Sequence, residues 1–222
     1  MLVFAHIRYN EKEDLVSKIL CFVSEDMADF EITLVLHGLK NAGKRDIVAV
    51  GYTLDPISSQ SGLRYLPDMT LAEAFHLDDI EGLVLPGGPI RAQQPVLTDL
   101  IVKLDAGKKL LAAICFGPQY LGRAGILARR KFTTSCSPEK IAELLVNDPF
   151  PRQNYVDQRV VRDGHVITAQ GRAFVDFAFK VFTYLDIYQA DPQEQERLFQ
   201  DIVNRESGIV EDGQVCPAPT CR

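Results

Sequence analysis

KKLLAAICFGPQYLGRAGIL, residues 108–127, is the stretch on which the fold turns. Its apolar run, Leu110 to Ile114, stops at Cys115, and Phe116, Gly117 and Pro118 lead at once into a helical pattern. A buried strand that runs straight into a helix places the residue between them on a sharp bend above the sheet end. That is a nucleophile elbow, with Cys where other enzymes carry Ser. A free thiol titrates near ~8.5, and a helix N-terminus favours the thiolate. Buried, inert cysteines are common, but the strand stop, the Gly-Pro and the crevice position all favour a reactive Cys115.

Working outward, strand-like and helix-like segments alternate. Leu2 to Arg8 reads as a buried strand, Glu11 to Val23 as a helix, and Glu31 to Leu36 (EITLVL) as a second strand. Asp46 to Thr53 and Gly62 to Tyr65 read as a strand excursion, and Ile80 to Leu85 as a strand ending in Pro86-Gly87-Gly88-Pro89. Pro95 to Ala106 is helical by spacing. Arg159 to Ala169 is a hairpin about Asp163-Gly164, followed by an apolar helix from Arg172 to Tyr188. This alternation predicts an α/β fold, a flavodoxin-like three-layer sandwich around a mostly parallel sheet. Residues 1–190 read as one domain, and 191–222 as a C-terminal helical extension and tail. Ligands of such sheets bind beyond the carboxyl ends of the strands. The acidic turn after the first strand, the PGGP turn and Cys115 converge there.

The chain has 222 residues and a formal net charge of −6, which argues against a nucleic-acid surface. Its one dense basic run, Arg129-Arg130-Lys131, reads as a solvated turn. No apolar run approaches the ~20 residues that span a bilayer, and the N-terminus lacks a basic leader. An odd set of scattered cysteines, Cys21, Cys115, Cys136, Cys216 and Cys221, is no disulfide framework and predicts a cytoplasmic location. No metal or cofactor is expected, since the Cys216–Cys221 pair offers only two ligands.

The chemistry gathers at the strand ends. Gly87 and Gly88 let backbone N–H groups face the crevice. With the N–H of Phe116, one of them would make an oxyanion hole. The turn Tyr9 to Asp14 offers Glu11, Glu13 and Asp14, and a carboxyl reaching across to the thiol would tune its pKa. His6, His37, His76 and His165 all stand away from Cys115 in sequence. A local Cys-His dyad is therefore not written.

LVLPGGP (83–89), AAICFGPQYLGRAGIL (112–127), KFTTS (131–135) and VVRDGHVITAQGRAFVDFAFKVF (160–182), in this order, resemble the ThiJ/PfpI family. That family lies in the class I glutamine-amidotransferase-like superfamily, and the likeness covers roughly residues 2 to 188. The resemblance implies an elbow nucleophile at Cys115, an oxyanion-hole glycine at Gly88, and a homodimer. It also implies a protonated carboxyl in the first helix, which the spacing from the first strand puts at Asp14. Pro89 and Arg172, with Gly87, are the implied substrate-binding positions. Two departures stand out. Phe116 replaces the His that follows the Cys in PfpI-type proteases, and Ser135, then Cys136, occupies the place where other members supply a His.

The expected function is that of an enzyme acting on a small electrophile, a hydrolase or lyase of aldehyde, amide or isocyanide type. The alternative is a cysteine-based redox or stress sensor without turnover. A glutaminase would need a late His, and the late segment offers only His165. A transcription regulator would need a further DNA-binding domain.

Overall fold

The computed structural model describes residues 17–203, 209–211 and 214–216. Its elements are β1 (Lys18–Phe22), α1 (Phe30–Asn41), β2 (Asp46–Gly51), β3 (Ile57–Ser58), β4 (Arg64–Tyr65), β5 (Met69–Thr70) and α2 (Leu71–Ala74). They continue with β6 (Ile80–Leu85), α3 (Pro95–Ala106), β7 (Leu110–Ile114), α4 (Pro118–Arg123) and α5 (Pro138–Glu143). The last are β8 (Val160–Asp163), β9 (Val166–Ala169), α6 (Phe174–Tyr184), α7 (Pro192–Val203), β10 (Ile209–Glu211) and β11 (Gln214–Cys216).

Seven strands form one sheet in the order β5-β2-β1-β6-β7-β9-β8. Every neighbouring pair is parallel except β8 with β9. The hairpin between those two turns on Asp163-Gly164, with Gly164 at φ +64°, as the Asp-Gly pair predicts. One face of the sheet is covered by α1 and α6, whose Ile32, Val35, Leu39, Phe177, Val181 and Phe182 are buried. The other is covered by α2, α3 and α4 through Leu71, Leu97, Leu100, Ile101, Leu104 and Leu121. The molecule is the three-layer α/β sandwich expected of an alternating sequence. No helix among the described residues is long and apolar enough to cross a membrane.

The central strands are apolar on both faces. All five residues of β7 are buried, as are Ile19 to Phe22 of β1. Burial of one such side chain is worth about 1.5–3 kcal/mol, so each strand that ends at the crevice is anchored by several such side chains.

Three segments differ from the sequence expectation. Residues 18–22, read as part of a helix from Glu11 to Val23, are the strand β1. Apolar residues that face both layers obscure the two-residue period, and spacings of three and four then mimic a helix. Glu31 to Leu36, read as a strand, lies in α1. Its β-branched residues favour a strand locally, but Ile32, Val35 and Leu39 form a helical stripe against α6, and packing wins. Lys131 to Thr134, whose sequence reads as a short strand, makes only a single bridge, from Phe132 to Tyr155. The segment from Leu2 to Arg8 lies outside the described residues, and so does Asp14.

Candidate active site

Cys115 sits between β7 and α4 with φ +60°, a left-handed backbone for a side-chain-bearing residue. This conformation costs about 1–2 kcal/mol, and four bonds hold it. The Cys115 N–H donates to Ala169 O (2.8 Å), and Gly117 N–H donates to Ile114 O (2.7 Å). Cys115 O accepts from Ser135 N (3.1 Å) and from Thr134 Oγ1 (2.6 Å). The bend turns the thiol into a cleft of about 690 Å³ lined by Glu31, Gly88, Pro89, Phe116, Ser135, Gly171 and Arg172, among others.

The carboxyl against the sulfur belongs to Glu31, the second residue of α1. It is 2% exposed, and Gly87 N–H donates to its Oε2 at 2.8 Å. The Cys115–Glu31 pair leaves no room for neighbouring side chains. A Cβ on Gly87 would lie 2.5 Å from Glu31 Oε2 and 2.6 Å from Cys115 Cβ. One on Gly171 would lie 2.8 Å from Glu31 Oε1 and 3.0 Å from Cys115 Sγ. These two glycines are required by close approach.

Burial raises the pKa of Glu31 above the usual carboxylate range; its bonds to Cys115 and Gly87 only partly oppose this. Burial, then the charge and contact of an ionised Glu31, push the Cys115 thiol up to about 12, while Ser135 and the Phe116 N–H act the other way. Two such groups in contact do not ionise together, so near neutrality they hold at least one proton between them.

The cleft wall is built from the loop after β1 and the turn after β6. Ala28 N–H donates to Gly87 O at 3.0 Å. Gly88 has φ +144°, and a Cβ there would meet Asp26 O at 3.0 Å. Gln119, buried in α4, clamps the same turn from behind. Its Nε2 donates to Pro89 O (3.1 Å), and its Oε1 accepts from Arg91 N (3.1 Å) and Arg123 Nη1 (2.8 Å).

Of the residues singled out in the sequence, Cys115, Gly88, Pro89, Phe116 and Arg172 line the cleft, and Gly87 lies behind the Cys115–Glu31 contact. Asp14 is among the residues not described; among those described, the carboxyl at the sulfur is that of Glu31. Sequence reasoning missed Glu31 and Gln119, and marked Ser135 only as the residue standing where other members supply a His. The signal for Glu31 was an acidic residue in the first turn of the helix that follows the buried strand KILCF. Among the described residues no histidine lines the cleft: His37 contacts Asn41 on α1, His165 meets Asp105 at 2.8 Å, and His76 packs beside Phe75.

Comparison with known proteins agrees with this architecture. The chain is 28% identical over 175 residues to the glutathione-independent glyoxalase DJR-1.2 of Caenorhabditis elegans, covering 77% of this chain and 89% of that protein. It is 29% identical over 158 residues to the deglycase PfpI of Pyrococcus furiosus, covering 69% and 89%. A DJ-1 superfamily protein from Agrobacterium tumefaciens superposes with a TM-score of 0.70 at 27% identity, over 84% of this chain and 97% of that one. The DJ-1/PfpI family model matches residues 17–184, and the chain belongs to that family.

Proposed function

We propose that this protein is a cysteine-dependent enzyme acting on small α-oxoaldehydes or their adducts, with Cys115 as nucleophile and Glu31 as its proton-handling partner. The observation that carries the reading is the contact of a buried carboxyl with an elbow thiol in an open cleft. The glyoxalase and deglycase names of the two relatives support the substrate class.

The thiolate adds to the aldehyde carbon, and the carbonyl oxygen takes the electron pair and then a proton, giving a hemithioacetal. The N–H groups of Gly88 and Phe116, which line the cleft with Cys115, are assigned as donors to that developing charge. Glu31, ionised once its proton is given up, accepts the C–H proton and returns it to the adjacent carbon. The resulting thioester is cleaved by water, which releases a 2-hydroxy acid and restores the thiol. The net reaction adds one water to the oxoaldehyde. Arg172 at the cleft rim suits an anionic substituent. A homodimer, as the resemblance implies, belongs to the same reading.

The test is turnover of methylglyoxal, a glycated amine, a simple amide and an isocyanide by the purified protein beside Cys115→Ala. Turnover of the first two, lost in the variant, supports the reading. Turnover of the amide or isocyanide alone moves the substrate class, and none above the variant removes the enzyme reading.

A second reading is a peroxide sensor, favoured by the absence of a histidine base from the described cleft. Cys115 would take one oxygen from hydrogen peroxide, forming a sulfenic acid and releasing water. Mass spectrometry after mild peroxide would show oxidation concentrated at Cys115. Uniform oxidation of the cysteines would rule this out.

A further inference from the structure

Ser135 stands at a junction that neither the elbow nor the carboxyl explains. It lines the Cys115 cleft and also a neighbouring pocket of about 520 Å³ bounded by Thr134, Cys136, Arg152, Tyr155 and Gln170. Its backbone N–H donates to Cys115 O at 3.1 Å, which ties it to the elbow. Its hydroxyl oxygen accepts from Gly171 N–H at 2.8 Å. Gly171 is itself so close to the pair that a Cβ on it would lie 3.0 Å from Cys115 Sγ. A hydroxyl has one hydrogen and two acceptor lone pairs. With a lone pair engaged by the Gly171 N–H, the single O–H is free to turn to the sulfur. The contact with Ser135 acts to lower the thiol's pKa, as a donor to the thiolate does.

We propose that Ser135 is a catalytic residue of this site: oriented by the Gly171 N–H, its hydroxyl donates to the Cys115 thiolate and sets how readily that sulfur reacts. It lacks the basicity of a histidine, so its part is to stabilise charge, and proton exchange is left to Glu31. The inference rests on the Cys115–Glu31 centre but not on its substrate, because a thiolate's reactivity is measurable without turnover.

The experiment is the rate of alkylation of Cys115 by iodoacetamide as a function of pH, followed by mass spectrometry of the Cys115 peptide. Wild type, Ser135→Ala and Ser135→Thr would be compared, with the melting temperature of each recorded. Hydrogen bonds to charged groups are the stronger ones, and partial solvation of this one trims the effect. The expected result is a rate at pH 7 about fivefold lower for Ser135→Ala. Its pH profile moves upward, and Ser135→Thr, which keeps the hydroxyl, stays near wild type. Superimposable profiles for wild type and Ser135→Ala would overturn the proposal. So would equal shifts for Ala and Thr, which would mark a packing effect. If alkylation shifts as expected while no oxoaldehyde is turned over, the role of Ser135 stands and only the substrate reading fails.

Discussion

Two buried carboxyls, Asp29 and Glu31, stand two residues apart where α1 begins, 3% and 2% exposed, and they behave oppositely. Burial acts to raise both. At Asp29 it is outweighed by donors: Ser61 Oγ (2.5 Å), Ser59 Oγ (2.9 Å) and Tyr65 Oη (3.0 Å) all reach Oδ2, and its pKa falls below the ordinary value. At Glu31 the bonds to Gly87 N–H and Cys115 are too few to offset burial, and its pKa rises. The comparison teaches that desolvation and donor count together set the direction: three hydroxyls reach Asp29, whereas one backbone N–H and a thiol reach the more desolvated Glu31. Asp29 is a fixed charge holding the β3–β4 hairpin to the cleft wall. Glu31 is a proton store facing sulfur.

The largest separation is in activity. Glu31→Gln keeps the shape and removes the exchangeable proton, so kcat/KM on the substrate falls roughly 100-fold or more. Asp29→Asn, whose carboxyl is not among the groups lining the cleft, stays within about threefold of wild type by the same assay. Similar losses for the two variants would dissolve the distinction.

Stability should reverse the order. Urea unfolding at pH 7 should show Asp29→Asn weaker by about 2 kcal/mol, because three hydroxyls lose their anionic acceptor. The pH signs also differ. The stabilisation from Asp29 is present above its unfolded pKa, near 3.8, and is lost as pH falls through its lower folded value. For Glu31 the folded pKa is the higher one, so ionisation costs stability once pH passes the unfolded value near 4.5. Wild type should therefore lose ground to Glu31→Gln as pH rises from there, up to the folded pKa. Melting temperatures across this range check both slopes.

Gly171→Ala is the next step down. Its new Cβ, 2.8 Å from Glu31 Oε1, should cost about 1–3 kcal/mol as an overpacking change. It should also slow Cys115 alkylation, whereas a glycine away from the pair would not. The smallest effect belongs to Tyr65→Phe. Loss of one of three donors to Asp29 should cost about 1 kcal/mol and leave alkylation of Cys115 unchanged.

How much of this was legible in the sequence follows from the kind of signal each segment carries. The elbow, the Ile80–Leu85 strand, the Pro95–Ala106 helix and the Asp-Gly hairpin are marked by strand stops, proline at a helix start and a turn pair that few other conformations accept. The first strand and first helix carry no such marks. KILCF is apolar on both faces, and EITLVL is rich in β-branched residues, so local propensity pointed the wrong way in both. With EITLVL read as a strand, Glu31 lay outside every expected helix, and the expected carboxyl fell on Asp14, outside the described residues. The contacts of Ser135 with Gly171, and of Gln119 with Pro89, join residues far apart in the chain and leave no local trace.

The central claim is that Glu31 is a proton store, its raised pKa letting it carry a proton beside Cys115 at neutral pH. Infrared difference spectra at pH 7 test it directly. The account predicts a protonated-carboxyl C=O band in wild type that is lost in Glu31→Gln and unchanged in Asp29→Asn. Absence of the band from wild type, or its disappearance in Asp29→Asn alone, would contradict it.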